Sequence, residues 1–73
     1  MYYILNIPEG VSVKTFINNK INEGYTFYSL YAESHQETTE CKNFTLPLQT
    51  TINDFIDYLE NNYWEIIRVT FLY

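Results

Sequence analysis

Apolar residues recur along this chain with two different spacings, and the order in which the spacings alternate limits the fold more than any other feature. Runs with a strand-like period of about two change places with runs on a helical period of about 3.6. Tyr2 to Ile7 reads as a strand, Val11 to Glu23 as a helix and Tyr25 to Ala32 as a strand. Lys42 to Leu46 follows as a third strand, Thr51 to Asn62 as a second helix and Trp64 to Tyr73 as a last strand.

The order β-α-β-β-α-β is that of ferredoxin-like α+β domains. It fills residues 1–73, so a single domain is expected, with two helices on one face of a four-stranded antiparallel sheet. By analogy with that fold, the first and third strands are central and the second and fourth are edges. A chain of 73 residues with one cysteine, Cys41, has no internal disulfide and no four-cysteine zinc site to staple it. Stability must come from packing, for which eight Tyr, five Phe and one Trp supply the apolar area.

Capping residues agree with the periodicity. Val13, Phe16, Ile17 and Ile21 stripe the first helix, which Ser12 can cap and Gly24 can end. Ile52, Phe55, Ile56, Leu59 and Tyr63 form one face of the second helix, with Thr50 or Thr51 as its cap and Asp54 in the first turn. Pro47 closes the third strand, since it cannot donate to a sheet ladder. Strict alternation in the last strand puts Ile67, Val69 and Phe71 on the core face, opposite Ile66, Arg68 and Thr70. The same rule groups Tyr25, Phe27 and Tyr31 on one face of the second strand, and Tyr28 with Leu30 on the other. In the first strand it separates Tyr2, Ile4 and Asn6 from Tyr3, Leu5 and Ile7.

Charge narrows the function classes. Nine acidic residues against four basic ones give a net charge of −5, which repels a phosphate backbone and disfavours direct nucleic-acid binding. The four bases, Lys14, Lys20, Lys42 and Arg68, form no run. Asp54, Asp57 and Glu60 recur every three residues on the second helix. Glu33, Glu37 and Glu40 sit in a polar segment between the second and third strands, expected as a loop. Together these six acids can present a negative surface to a basic groove, the role of a DNA mimic. Tyr25 and Tyr31 on one face of the second strand, or Tyr28 on the other, supply aromatic anchors on whichever sheet face no helix covers, and an open apolar face of this kind suits a partner or a homodimer.

Catalytic constellations are absent from the sequence. His35, the single histidine, falls among acids, and Cys41, next to Lys42, reads as a small strand residue. Glu33, His35 and Glu37 are metal-ligating types at no recognised spacing, and the two glycines, Gly10 and Gly24, make no phosphate loop. No enzyme activity, cofactor or metal is assigned. The N-terminus lacks a basic region before a long apolar run, and no stretch reaches the roughly 18 apolar residues of a membrane span. The expected location is the cytoplasm.

The first strand, Tyr2-Tyr3-Ile4-Leu5-Asn6-Ile7, resembles the opening signature of the RNA-recognition motif. That resemblance implies base stacking on Tyr3, with further aromatics on an adjacent third strand. There Lys42 and Phe44 fit the pattern, whereas Leu46 stands where an aromatic belongs. In size, acidity and simplicity the chain also resembles inhibitors that phages and mobile elements encode against host defence, anti-CRISPR proteins among them. Asn, Ile and Tyr at eight copies each fit an AT-rich source. The expected function is therefore a small acidic inhibitor of a host protein that handles nucleic acid or acts in defence. An RNA-binding module and a self-associating regulatory subunit are the alternatives.

Overall fold

The computed structural model describes residues 1–73. Six elements follow in the expected order: β1 (Tyr2–Asn6), α1 (Val13–Asn22), β2 (Thr26–His35), β3 (Thr39–Phe44), α2 (Ile52–Asn61) and β4 (Trp64–Leu72). The class is α+β, with one four-stranded antiparallel sheet and two helices. Both helices begin at the caps the sequence offers. Ser12 Oγ accepts from the Thr15 N–H and Thr51 Oγ1 from the Asp54 N–H, each satisfying a donor that helix geometry leaves free. Gly24 follows α1 at φ +105, and an added Cβ would lie 3.5 Å from the Tyr73 ring. That is ordinary van der Waals contact, so it is the left-handed backbone, not crowding, that favours glycine there.

Strand order departs from the ferredoxin-like expectation. It is β1-β4-β2-β3, so β4 and β2 are central and β1 and β3 lie at opposite edges. The reason is visible in length and polarity. β2 with 10 residues and β4 with 9 carry the buried apolar positions, whereas β3 is exposed at every residue but Phe44, and β1 has five residues. Short, polar strands tolerate an edge, and long apolar ones need a neighbour on each side. One consequence concerns self-association: β2 is paired along both sides and offers no free backbone to a second copy.

The core lies between the helices and one sheet face. Ile17 of α1 and Phe55, Ile56 and Leu59 of α2 meet Leu30, Ala32, Ile66, Val69 and Phe71 of the two central strands. Phe16 and Leu5 pack at its margin. Tyr63 does not extend the apolar face of α2. It follows the helix with φ 65, and its side chain is mostly exposed.

Two bulges reset the alternation of the central strands. Between Phe27 and Ser29, β2 advances two residues while β4 advances one, leaving Tyr28 extra. Between Tyr31 and Ala32 the excess falls on β4, at Ile67. Each bulge flips the side chains that follow it. Leu30 and Ile66 therefore enter the core, while Tyr31 and Ile67 do not. Tyr25 and Phe27 stay on the helix side. In β1, which has no bulge, the expected split holds: Leu5 and Ile7 pack on the core, while Tyr2 and Ile4 are exposed.

Candidate functional site

The polar segment expected as a loop is mostly strand. β2 runs on to His35 and β3 begins at Thr39, so Gln36–Thr38 alone make the turn. Leu30, Ala32 and Ser34 continue the buried row through this extension. Glu33, His35, Glu40 and Cys41 thereby acquire fixed positions on the sheet. Glu33 stands opposite Cys41 on one side and Glu65 on the other.

This extension builds an acidic end to the molecule. β1 and β2 finish where β3 and β4 begin, and α2 ends beside them. Glu9, Glu60 and Glu65 line one open cleft of about 810 Å³ there, and Glu37 and Glu40 line another of about 330 Å³. Trp64 borders both clefts. With Glu33, six of the nine acids gather at this end. None of the six is paired with a lysine or arginine.

The bases are engaged elsewhere. Lys14 Nζ pairs with Asp57 at 2.6 Å, and Lys20 pairs with Glu23 while lying over the rings of Phe16 and Tyr25. Lys42 lies over Phe44 and Arg68 over Tyr31. Of the helical acid triplet, Glu60 alone reaches the acidic end. Asp57 is neutralised by Lys14, and Asp54 sits in the first turn of α2, where the helix dipole favours it.

The tyrosines divide by position. Tyr25 belongs to an aromatic group with Tyr3, Phe71 and Tyr73 on the helix side, at the end of the sheet away from the acids. Tyr28, on the bulge, meets Tyr2 edge to face at 5.1 Å across the open side of β4. Tyr2, Tyr28 and Ile4 remain 59, 47 and 66 % exposed, making an apolar patch on that face. The stacking geometry that an RNA-recognition motif requires is not present. Tyr3 lies on the helix side against Tyr25, and β1 and β3 are separated by two strands.

Tyr31 anchors a polar cluster on the open face. The Arg68 guanidinium lies 4.0 Å from its ring centre. Its hydroxyl donates to Glu33 Oε2 at 3.1 Å, and Glu33 Oε1 is 3.2 Å from His35 Nε2. His35 Nδ1 is in turn 3.4 Å from Thr39 Oγ1. The Tyr31 phenol is pushed up to about 12, chiefly by its hydrogen bond with the Cys41 sulfur, then by loss of water and by the Glu33 carboxylate.

That shift has a definite sign. The folded chain keeps the Tyr31 proton where the unfolded chain, at the ordinary 10.0, has lost it. Its contribution to stability is complete below about pH 10 and disappears as pH rises towards 12. In Tyr31→Phe this part of the alkaline loss should vanish, and the last tyrosine to ionise should be missing from the absorbance titration. Identical alkaline profiles for the two proteins would rule the shift out.

Sequence reasoning missed Glu9 and Glu65, each an isolated acid in its own segment. It also missed Arg68 as the partner of Tyr31. The signal available for Glu65 was its place at the start of the last strand, but using it required knowing that this strand pairs with the second. No protein-family model, curated protein or solved structure matches the chain. No helix is long and apolar enough to cross a membrane.

Proposed function

We propose that this chain is a small acidic binding protein that occupies a basic surface on a larger protein, most specifically a host protein that handles nucleic acid, and inhibits it. One observation carries this reading: six acids without a lysine or arginine partner share one end, leaving three acids and four bases for the rest of the molecule. Such a pole attracts a cationic groove at long range and competes with phosphate for the same lysines and arginines. The patch of Tyr2, Ile4 and Tyr28, at the other end of the open face, offers a separate apolar contact that holds a complex once formed. A phage or mobile-element inhibitor of host defence, of the anti-CRISPR kind, has this chemistry.

The bare outer edge of β1 favours one other occupant, a second copy of the chain. A single experiment separates the two. The immobilised protein should retain a nucleic-acid-handling partner from host extract and release it as salt rises. The variant Glu9→Gln, Glu37→Gln, Glu40→Gln, Glu60→Gln keeps shape while removing charge. Its association should slow by about tenfold or more, with a flatter salt dependence. Undiminished capture by this variant would remove the acidic end from the mechanism. Recovery of the chain's own copies alone would establish the homodimer instead.

A further inference from the structure

We propose that Glu33, His35 and Glu65 form a binding site for a first-row transition dication of the zinc type. One donor atom from each of the three lies within 4.8 Å of the others, at the hairpin end of the open face. Glu33 Oε1 and His35 Nε2, at 3.2 Å, are already close to the separation of two donors on one tetrahedral ion, roughly 3.3–3.6 Å for bonds of about 2.0–2.2 Å. Glu65 stands directly across from Glu33 in the β2–β4 ladder, so a change of side-chain rotamer brings its carboxylate into the same sphere.

Two further observations separate this cluster from a solvated group of acids. Glu33 and Glu65 are like charges in direct cross-strand opposition, an arrangement that costs stability. No lysine or arginine forms an ion pair with either carboxylate, and a bound dication would relieve the repulsion directly. The donors are also held from behind. Tyr31, fixed under Arg68, donates to Glu33 Oε2 and leaves Oε1 turned towards His35. Thr39 lies at the far nitrogen of the imidazole, leaving Nε2 to face the site. Support of this kind orients ligands in metal sites generally.

The donor set selects the ion. Imidazole with carboxylates suits zinc and its neighbours, whereas magnesium and calcium prefer oxygen throughout. Three protein ligands leave one position open to water, and the bound ion would tie the β2–β3 hairpin to β4. The site requires no partner protein, so it stands or falls separately from the inhibitor reading.

Calorimetric titration of the untagged protein with zinc at neutral pH should give one ion per chain, and the melting temperature should rise with zinc. His35→Ala and Glu65→Gln should each weaken binding by about tenfold or more. Both side chains are substantially exposed, so the fold should survive, as far-UV circular dichroism would verify. Glu23→Gln, at the end of α1 and paired with Lys20, should leave the affinity unchanged. Absence of saturable binding at millimolar zinc would overturn the site. So would undiminished binding by His35→Ala, which would assign the ion to other acids, or equal affinity for magnesium.

Discussion

Phe71→Ala is expected to remove most of the stability of this protein. Phe71 is fully buried on a central strand, against Tyr25 on the helix side of the sheet. Truncating a buried phenylalanine costs about 3–5 kcal/mol, because the lost transfer energy is joined by the cavity left behind. A domain of this size has roughly 4–11 kcal/mol in all. The melting temperature should therefore fall by about 12 °C or more, if the variant folds at all. Leu48→Ala is the control: Leu48 is as apolar by composition but 94 % exposed, and its truncation should change stability by less than about 0.5 kcal/mol. Melting of Phe71→Ala within a degree or two of the parent would mean that β4 is not at the centre of the sheet.

The centre of the sheet is where reading the sequence and observing the structure part company. Six elements, their order and both helix caps were legible, because each depends on residues close together in the chain. Ser12 and Thr51 cap α1 and α2 through contacts three residues away. Strand order depends on contacts between distant segments, and analogy put β1 and β3 in the middle. Length and polarity argue otherwise. The β3 sequence Thr-Glu-Cys-Lys-Asn-Phe has few groups to bury on either face, while Trp64 to Leu72 supplies three fully or nearly buried residues to the core. Weighting those properties above topology would have placed β2 and β4 centrally.

The acidic site was legible in sign and misplaced in detail. Net charge announced an anionic surface, and Glu33, Glu37, Glu40 and Glu60 do share one end. Asp54 and Asp57 repeat with Glu60 every three residues, but a spacing along one helix cannot reveal that Lys14 on the other helix reaches Asp57. Glu9 and Glu65 join through the turn after β1 and the start of β4, which are far apart in sequence. The His35 cluster was hidden for a related reason. Glu33 and His35 were read as loop residues, and their third member comes from the last strand.

Bulges are the least legible feature, and a pair of substitutions tests the one that matters most for the core. Strict alternation in the last strand buries Ile67 with Val69 and Phe71 and exposes Ile66. The β4 bulge reverses this: Ile66 is 5 % exposed and faces Ala32, whereas Ile67 lies out of register beside the open cleft, its carbonyl accepting from the Ile7 N–H. Ile66→Ala should therefore cost about 2–5 kcal/mol, as for other buried isoleucines. Ile67→Ala removes a half-buried side chain without touching its backbone bond and should cost less than about 1 kcal/mol. Urea unfolding of both variants gives the comparison directly, with unchanged slopes required so that midpoints report stability. The opposite ranking would restore simple alternation, which leaves Arg68 on the face it shares with Tyr31 but flips the residues before the bulge. In that outcome Glu65 would leave the side of the sheet that holds Glu33 and His35, and the zinc site would go with it.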